Sequence, residues 1–599
     1  MCGITGIYAF NLVGKLHKVN VTAATMCLQK RGPDFQDILL EESIALGHRR
    51  LSIIDTREVA NQPMWDEQKR YCIIFNGEIF NYKELRKTLT DKGVTFFSDS
   101  DTEVLLKLYI SEKENSLNKL NGFFAFCIYD RQEETLFLAR DRFGIKPLLY
   151  QFDDDKFVFG SEMKSILAYG VEKNLDYSSL YLYLQLNYIP GPDSIFASIK
   201  KLQPGHYLKV ARGKLVVDKY YSIPYNPQSA ERNSLPYGDA KEKLKSLLEE
   251  SVKKRLVSDV PLGAFLSGGV DSSVICALAV KHKPDLHTFS IGYRDEKFFD
   301  ETAYANLVAK KIQTRHTVFT LSNSDLYNSL ESILNYIDEP FADSSAIAVN
   351  ILSKETRKHA TVALSGDGAD ELLAGYNKHE AIYRMMHPGT AESFASFLAP
   401  FAKLFPQSRN SGFANKMRQV VRYNEAKSLS QQDRYWKLAT IADKDQAMNL
   451  LHPDLRTTFW LKDYVARRKD ILSTIPDDAN INDILLTDMR LVLPGDMLTK
   501  VDIASMANSL EVRVPFLDYE VVNFLFSLPG DFKINGNMRK RLLQDAFKDI
   551  LPSKLYRRPK KGFEVPMLKW LRNELKDLIN DNLLSQKTIE DQGSSFTLK

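Results

Sequence analysis

The stretch "GAFLSGGVDSSVICALAV", residues 263–280, decides the fold of the second half of this chain. It begins as a short apolar strand, passes through two glycines, and continues from Ser273 as a helix. At such a junction in an open α/β sheet, backbone N–H groups and the helix dipole face outward and favour an anion. The stretch therefore predicts a phosphate site at the end of a parallel strand.

The segment "SGGVDSS" (Ser267–Ser273) indicates which anion would bind. Gly268 and Gly269 let the backbone approach a phosphate, and the serine hydroxyls, Ser272 among them, add hydrogen-bond donors. Asp271 is an anion in an anion site, which is reasonable only if Mg²⁺ lies between it and the phosphates. The loop lacks the lysine of a Walker A motif. We therefore expect a site for a metal–polyphosphate complex.

A second loop of the same kind, "ALSGDGADE" (residues 363–371), also follows an apolar strand. It contains two glycines and three acids, Asp367, Asp370 and Glu371. Mg²⁺ is usually bound by one or two carboxylates together with substrate phosphates. We therefore expect Asp271 and Asp370 to hold Mg²⁺ from opposite loops.

The surroundings of these loops alternate between helix and strand. Leucines and valines recur at helical spacing over residues 241–257, and a second helix is predicted over residues 301–312. Strands are predicted at "LHTFSIGY", "HTVFTL" and "ATVALSG", and the pattern turns mostly helical from about Glu380. This alternation predicts a parallel sheet with crossover helices and a helical elaboration.

The first two hundred residues have a different pattern. Residues 123–141 and 147–162 each consist of two β-rich runs around a polar turn, as in a hairpin. The run "RYCIIFNGEIF" (residues 70–80) is apolar without strict alternation, which is typical of strands covered on both faces. Layered antiparallel sheets are therefore predicted in this half.

A polar stretch containing proline and serine, residues 221–240, separates the two patterns. We therefore predict two domains joined by a linker, followed by a flexible tail. The expected bounds are residues 1–215, linker 216–240, residues 241–585 and tail 586–599.

The composition excludes several classes of protein. The 599 residues carry a formal net charge of only +4, which argues against a general nucleic-acid binder. The five cysteines are scattered without a C-x-x-C pair, which favours a reduced, cytoplasmic protein. There is neither a signal-peptide pattern nor an apolar run long enough to span a membrane.

The chain begins "MCGITGIYAF". Removal of Met1 by an aminopeptidase would leave Cys2 with both a thiol and a free α-amino group. Such an amine titrates at about pH 8, so it can serve as the base for the adjacent sulfur. Cys2 is therefore either an incidental terminal cysteine or a nucleophile.

The S-G-G-x-D-S loop and the N-terminal Met-Cys-Gly together resemble the glutamine-dependent asparagine synthetase family, and the likeness covers nearly the whole chain. Further matching segments are "RGPD" (31–34), "HRRLSIID" (48–55), "FNGEIFNY" (75–82) and "SDTEV" (100–104). The resemblance implies an N-terminal four-layer αββα sandwich of the N-terminal nucleophile (Ntn) hydrolase type. It also implies an α/β synthetase domain with the parallel sheet of adenine-nucleotide α hydrolases.

The same resemblance implies roles in a glutaminase site for the first half. Cys2 matches the nucleophile. The oxyanion hole matches the Asn76 side chain and the Gly77 backbone N–H, two donors that would stabilise charge on the amide oxygen. For glutamine itself, the matches are Glu78 and Asp101 for the ammonium and Arg50, rather than the adjacent Arg49, for the carboxylate.

In the second half the resemblance implies an ATP site. It places adenine beside Leu266 and Ile291 and the triphosphate on Ser267, Gly268, Gly269, Asp271 and Ser272, with Ser365 and Gly366 near the ribose and the reaction centre. Lys540 matches a lysine that neutralises the pyrophosphate leaving group. Some relatives have Glu where this chain has Asp367, so the role of that acid in adenylation stays open. Lys500 lies in a matching segment without an assigned role.

The function implied is glutamine-dependent synthesis of asparagine from L-aspartate, with ATP and Mg²⁺, in a cytoplasmic enzyme that is expected to be a homodimer. Ammonia would pass between the sites through a tunnel, for which residues 160–167 are candidate lining. An alternative keeps glutamine as the donor and changes the acceptor to another carboxylate, such as a polysaccharide uronate or a natural-product intermediate. A catalytically silent scaffold is less consistent with the intact Cys2 and Asp271. An enzyme of sulfur transfer or nucleotide modification that uses the same loop would need further paired cysteines or a basic nucleic-acid surface, and the sequence shows neither.

Overall fold

We describe the fold from a computed structural model. The structure describes residues 2–295, 300–388, 401–405, 412–456, 459–536, 538–557, 571–572 and 575–581. The predicted tail, residues 586–599, lies outside the described residues.

The described residues contain nineteen strands. They are β1 Gly3–Ala9, β2 Phe35–Leu40, β3 Ile44–Arg50, β4 Met64–Trp65, β5 Tyr71–Ile79, β6 Gly122–Asp130, β7 Thr135–Arg140, β8 Leu149–Phe152, β9 Lys156–Gly160, β10 Ile199–Lys201, β11 His206–Ala211, β12 Lys214–Lys219, β13 Leu262–Phe265, β14 His287–Tyr293, β15 Arg315–Leu321, β16 Val362–Leu364, β17 Glu511–Arg513, β18 Ile534–Asn535 and β19 Met538–Arg539.

The first fourteen α-helices of the described residues, which end at Met386, are labelled in chain order. They are α1 Leu12–Lys18, α2 Val21–Met26, α3 Tyr82–Thr90, α4 Asp101–Glu112, α5 Met163–Leu167, α6 Tyr177–Leu186, α7 Pro227–Glu231, α8 Tyr237–Arg255, α9 Val270–His282, α10 Thr302–Ile312, α11 Asn323–Leu334, α12 Ser345–Arg357, α13 Ala369–Leu372 and α14 Asn377–Met386.

Helices without labels here follow α14. They are Gly412–Lys427, Gln431–Ala439, Lys444–Leu450, Leu461–Ile471, Ile481–Arg490, Leu498–Met506, Tyr519–Phe526, Arg541–Ala546 and Lys576–Ile579, with a π-helical turn at Leu493–Met497. The predicted helical elaboration of the second half is thereby confirmed.

The first half contains two six-stranded antiparallel sheets. Their strand orders are β10-β8-β9-β1-β3-β2 and β12-β11-β7-β6-β5-β4. Both predicted hairpins are present, as the antiparallel pairs β6–β7 and β8–β9. Strand β5 is buried along its whole length, as its apolar sequence predicts.

These sheets pack face to face, with helices outside them. Ile4 and Leu46 of the first sheet lie in one core cluster with Ile74 and Cys127 of the second. Helices α1, α2 and α5 contact the outer face of the first sheet, and α4 contacts β5 of the second, with α3 against α4. The layers are therefore helix, sheet, sheet, helix, which confirms the predicted αββα sandwich.

The second half is built on one parallel sheet with the order β15-β14-β13-β16-β17. Every neighbouring pair in it is parallel. The chain runs outward from β13 through β14 to β15, with helices in the connections, and then returns to the other side of β13 as β16. Ligands bind at such a reversal of strand order in open α/β sheets, so the crevice beyond β13 and β16 is the place for a site.

The segment between the two sheet systems is ordered. Strand β12 runs to Lys219, past residue 215, and α7 occupies part of the expected linker. The Tyr221 hydroxyl donates to Asn523 Oδ1 at 2.7 Å, and the Tyr237 hydroxyl donates to Asp545 Oδ2 at 2.7 Å. This segment therefore packs against the second half. Within the described part of the chain, each helix is too short or too polar to span a lipid bilayer.

Candidate active sites

The residues predicted for glutamine come together at one end of the sandwich. Cys2 precedes β1, Arg50 ends β3, Asn76, Gly77 and Glu78 lie within β5, and Asp101 begins α4. The α4 end is set by its own sequence, because Ser100 caps the helix and Glu103 accepts backbone N–H groups from Phe97 and Ser98.

Cys2 and Asn76 are directly joined. The Cys2 backbone N–H donates to Asn76 Oδ1 at 3.0 Å, and Cys2 is 7% exposed. Burial raises the pKa of the Cys2 thiol, whereas the Leu51 carbonyl contact and the charge of Arg50 act in the opposite direction. Asn76 is fully buried, and its Nδ2 finds no hydrogen-bond partner. A buried amide donor beside the sulfur is thus left for another acceptor.

Gly77 is required by a close approach of two strands. A Cβ atom at this position would lie 2.2 Å from the Phe123 carbonyl oxygen and 2.7 Å from Phe124 Cα, both in the paired strand β6. Those atoms are backbone and cannot move aside. Only glycine therefore fits between Asn76 and Glu78.

Two buried acids lie near each other in this region, and the charge of one of them, Glu78, acts on Cys2. Glu78 and Asp101 are each 5% exposed, and Asp101 Oδ2 accepts the Ile79 N–H at 2.9 Å. Burial raises the pKa of Asp101 to about 7, and burial together with the charge of Asp101 raises the pKa of Glu78 well above its usual range. Glu78 Oε2 has no hydrogen-bond partner. The pair is therefore suited to a cationic ligand, which would compensate its buried charge.

The structure separates the two adjacent arginines. Arg49 Nη1 donates to Gln36 Oε1 at 2.7 Å, on the opposite face of β3 from Arg50. Arg50 Nη1 donates to Asn61 Oδ1 at 2.7 Å, and the Arg50 charge acts on Cys2. Of the two, Arg50 is thus the one that faces the cysteine, in agreement with the sequence match.

The first phosphate-type loop, residues 267–273, contains hydrogen bonds made by its own serines. Ser267 Oγ and Ser272 Oγ are 3.0 Å apart, and the Gly269 N–H donates to Ser267 Oγ at 3.3 Å. Gly268 has φ +73°, and a Cβ there would lie 2.5 Å from the backbone nitrogen of Ala305. Leu266, which directly follows β13, and Ile291, which lies in the adjacent strand β14, are both buried.

The second loop packs directly on the first. A Cβ on Gly366 would lie 2.7 Å from the Ser272 backbone nitrogen. Ser365 is 8% exposed, and its hydroxyl donates to Asp367 Oδ2. Burial raises the pKa of Asp367, partly offset by the charge of Lys500. The two loops therefore form one site at the strand reversal.

Lys540 joins the acids of the two loops. Its Nζ lies 2.5 Å from Asp271 Oδ2 and 2.8 Å from Asp370 Oδ1. Burial opposes its charge, but these two carboxylates raise the pKa of Lys540. Gly375 leaves room for the arrangement, because a Cβ there would lie 1.7 Å from Asp370 Oδ1 and 2.2 Å from Lys540 Cε.

The two acids fit a Mg²⁺ ion that arrives with phosphates. Asp271 Oδ1 is buried and without a hydrogen-bond partner, so one hard oxygen ligand is available. Within the described residues there is no group of three or more His, Cys, Asp or Glu arranged for a metal. Because Mg²⁺ keeps water and phosphate ligands, one or two carboxylates are enough.

A second lysine–acid cluster was not foreseen from the sequence. Lys500 Nζ lies 3.0 Å from Asp343 Oδ2, and Asp496 and Asp367 also act on its charge. Asp496 sits in the π-helical turn, and burial followed by the charge of Asp343 raises its pKa to about 7. No local pattern in the sequence could pair Asp343 with Lys500, because the two residues are 157 positions apart.

A cavity of about 390 Å³ lies between the two halves. Among the residues that line it are Ser161–Lys164 of the first half and Asp502 of the second. Arg31, fully buried, binds Glu162 at 3.0 Å and Asp502 at 2.7 and 2.9 Å, while its Nε donates to the Cys2 carbonyl oxygen at 3.1 Å. The cavity wall is thus tied to the backbone of Cys2.

An αββα sandwich with Cys2 before its first strand, joined to a parallel sheet with two facing phosphate-type loops, is the architecture expected of an ATP-dependent amidotransferase. The family described as "Asparagine synthase" matches residues 243–596, and "Glutamine amidotransferase domain" matches residues 1–221. The chain belongs to the asparagine synthase family.

Named relatives agree with this assignment. The chain is 34% identical to "Asparagine synthetase [glutamine-hydrolyzing] 1" of Bacillus subtilis (strain 168), over 98% of this chain and 90% of the relative. It is 31% identical to "Asparagine synthetase [glutamine-hydrolyzing] 3" of the same organism, over 100% of this chain and 94% of the relative.

Among solved structures, the chain is similar to a glutamine phosphoribosylpyrophosphate (PRPP) amidotransferase from B. subtilis complexed with ADP and GMP, at 16% identity over 61% of this chain and 81% of the other. The TM-score of 0.29 is too low to bear on the fold, which rests on the sheets described above.

Proposed function

We propose that this protein makes asparagine from aspartate, with glutamine as the nitrogen donor and ATP as the co-substrate. The observation that carries the proposal is a pair of sites in one chain. Cys2 contacts Asn76, whose side-chain Nδ2 has no hydrogen-bond partner, and the loops after β13 and β16 meet at Lys540. The first arrangement suits attack on an amide and the second suits a polyphosphate.

In the glutaminase half, the Cys2 sulfur attacks the side-chain carbon of glutamine. The α-amino group of Cys2, after removal of Met1, accepts the thiol proton and passes it to the departing ammonia. Asn76 Nδ2 and the Gly77 N–H bind the oxyanion, Glu78 and Asp101 bind the substrate ammonium, and Arg50 binds its carboxylate. Water then hydrolyses the γ-glutamyl thioester and releases glutamate.

In the synthetase half, a carboxylate oxygen of aspartate attacks the α-phosphorus of ATP and pyrophosphate leaves. Adenine lies beside Leu266 and Ile291, and Ser267–Ser272 binds the phosphates. Lys540 neutralises the leaving pyrophosphate, while Asp271 and Asp370 would hold Mg²⁺, which supplies further charge neutralisation when bound. Ammonia then displaces AMP to form the amide.

The cavity between the halves is proposed as part of the ammonia route. Ammonia must travel unprotonated, since bulk water at neutral pH would convert most of it to ammonium. Residues 161–164, within the segment expected to line a tunnel, do line this cavity. Arg31 connects the cavity wall to Cys2 through the contacts given above.

The Lys500 cluster is proposed as the acceptor pocket. Three acids, Asp343, Asp496 and Asp367, surround one lysine, so the cluster is rich in negative charge. An α-amino acid brings an ammonium for the acids and a carboxylate for Lys500. A uronate brings no ammonium, so the cluster favours aspartate over the alternative acceptor class.

The decisive experiment compares acceptors. The protein is incubated with ATP, Mg²⁺ and glutamine, and AMP, pyrophosphate, glutamate and asparagine are measured with L-aspartate, with glucuronate, or with no acceptor. We expect AMP and asparagine to form in equal amounts in the reaction with L-aspartate and not in the other two reactions. AMP no higher with aspartate than without an acceptor would refute aspartate as the substrate, and AMP with glucuronate would favour the alternative.

The domain division at residues 215, 240 and 585 and a cytoplasmic location belong to the same proposal. The location is supported by five cysteines that form no disulfide.

A further inference from the structure

Arg513 belongs to the synthetase sheet but contacts the glutamine site. It is the last residue of β17, the edge strand of the parallel sheet, and it is 0% exposed. Its Nη2 lies 3.7 Å from Glu78 Oε1. One fully buried side chain therefore crosses from the second half of the chain to the acid proposed to bind the ammonium of glutamine.

The main chain of Arg513 contacts the other site. Strand β17 pairs with β16 so that Arg513 lies opposite Leu364, and the Arg513 carbonyl oxygen accepts the Ser365 N–H at 2.8 Å. Ser365 opens the second phosphate-type loop and donates its hydroxyl to Asp367. The same residue thus touches the glutamine site through its side chain and the nucleotide loop through its backbone.

Three acceptors bind two of the nitrogen atoms of the Arg513 guanidinium. Nε donates to Glu511 Oε1 at 2.6 Å, and Nη1 donates to the carbonyl oxygens of Arg255 at 2.8 Å and Val257 at 2.6 Å. Nη2 makes no hydrogen bond, although its charge faces Glu78. A rigid, planar group with one unsatisfied end at a substrate-binding acid is placed to respond to what that acid binds.

The charges around Arg513 make its response predictable. Glu78, Asp101 and Glu511 all act on the guanidinium. A glutamine ammonium placed at Glu78 and Asp101 would bring a second positive charge toward the same acids. The ammonium would favour the ionised form of Glu78 and would also repel the guanidinium, so the net force on Arg513 would change when glutamine binds.

We propose that Arg513 is a positioning residue that couples glutamine binding to the nucleotide loop through its contacts with Glu78 and with the Ser365 N–H. The inference rests on the proposed function in one respect, the placement of glutamine's ammonium at Glu78. By linkage, a nucleotide that alters the Ser365 loop must change glutamine affinity by the same factor as glutamine changes nucleotide affinity.

The test measures this factor directly. In a Cys2→Ala background, which is expected to bind glutamine without turnover, the Kd of glutamine is measured by calorimetry with and without α,β-methylene-ATP, while Mg²⁺ and aspartate are present throughout both titrations. We expect the Kd to change by at least about fivefold, the low end of ordinary coupling. The reciprocal titration, analogue affinity with and without glutamine, should give the same ratio.

Arg513→Lys keeps the charge but cannot hold Glu511 and two carbonyls at once. We expect it to reduce the coupling ratio to about one, with each separate Kd changed less than the ratio. The matched control is Arg255→Lys, because the Arg255 side chain is equally buried and pairs with Asp518 at 2.9 Å, and its hydrogen bond with Arg513 uses the backbone carbonyl oxygen, which the substitution keeps. The Arg255→Lys variant should have the same ratio of glutamine Kd values, with and without the ATP analogue, as the parent.

Glu511→Gln provides a second variant if Arg513→Lys does not fold, which the thermal unfolding midpoint will show. It removes the charge that holds Nε and should lower the ratio in the same direction. No change in glutamine Kd in the parent, a full ratio in both Arg513→Lys and Glu511→Gln, or an equal loss in Arg255→Lys would each overturn the proposal.

The experiments test the proposed function and the proposed role of Arg513 independently. If the unmodified protein releases no AMP with aspartate, that assignment is lost, whereas coupling between glutamine and the ATP analogue is still measurable. If AMP is released and the ratio is one, the enzyme assignment stands and the role of Arg513 is wrong.

Discussion

The glutamine site and the nucleotide site treat buried charge in opposite ways. In the glutamine site, Asn76 Nδ2 and Glu78 Oε2 have no hydrogen-bond partners. In the nucleotide site, Lys540 bridges Asp271 and Asp370, and Lys500 binds Asp343. The first site leaves polar atoms for a substrate to satisfy, whereas the second pairs its acids with its own lysines and leaves Asp271 Oδ1 for a ligand.

The difference follows from the ligands. Glutamine is small and carries one charge of each sign, so a few fixed groups can bind it completely. ATP with Mg²⁺ brings a large negative charge, and two unpaired carboxylates would repel it. Lysines that neutralise the acids before ATP arrives reduce that repulsion, and they remain to stabilise the leaving group.

The largest expected effect separates the two sites. Cys2→Ala removes the proposed nucleophile, so glutamine-dependent asparagine formation should fall by at least about a thousandfold. Synthesis from added ammonium chloride should stay within about twofold of the parent, because the nucleotide loops are untouched. Both rates are followed by AMP release. Loss of both in a folded protein would contradict two separate sites.

The next effect acts on the other site. Lys540→Gln removes the positive charge between Asp271 and Asp370, and we expect aspartate-dependent AMP formation to fall by about 10²- to 10³-fold. Glutamine hydrolysis without ATP is the internal control and should be unchanged. A parallel loss of glutaminase activity would show that Lys540 acts on the whole structure.

A steric change should give an intermediate effect. Gly375→Ala places a Cβ 1.7 Å from Asp370 Oδ1, so the lysine–acid bridge must open. We expect AMP formation to fall by about ten- to a hundredfold, within the range for a misplaced catalytic group. The control is Gly238→Ala in α8, where a Cβ meets nothing within 4 Å. Equal activities of the two variants would show that the bridge is not needed.

The smallest effect concerns pH and the unsatisfied acids. Burial raises the pKa of Asp101 to about 7. Glutamine's ammonium requires the ionised carboxylate, so protons compete with it and the KM should rise as pH falls through about 7. At about pH 6 roughly nine-tenths of such carboxyls are protonated, which predicts a KM about fivefold to tenfold higher than at about pH 8.

Asp101→Asn tests this assignment. It should raise the KM for glutamine to about the low-pH level and remove most of its dependence on pH, with little change in kcat. A variant that keeps the parent's pH profile would show that another group, such as Glu78, controls it. Ammonia-dependent synthesis measured across the same pH range serves as the control.

Several features were predictable because they depend on neighbours in sequence. The hairpins β6–β7 and β8–β9 follow from apolar runs around polar turns. The strand β13, the glycine turn and the helix α9 follow from the sequence because the spacing of apolar residues changes there from that of a strand to that of a helix. Family resemblance, carried by ordered short motifs, added the site residues, whose roles stay predictions.

Other features needed the folded chain. The pairing of Lys500 with Asp343, and of Arg31 with both Glu162 and Asp502, joins residues with no local pattern to connect them. Exposed lysines and arginines are common, so neither could be distinguished from a solvated side chain in the sequence. The contact of Arg513 with Glu78 is of the same kind.

By itself, the sequence determined the two kinds of sheet, the place of the phosphate loop and the presence of a cysteine beside the N-terminus. These depend on the period of apolar residues and on glycine and serine placed at a strand end, which act over a few residues. The tertiary structure alone decided which charges meet. Strand reversal at β13 brings the two loops to Lys540, and packing between the halves brings Arg513 to the glutamine site, because burial forces each charge to find a partner wherever the fold provides one.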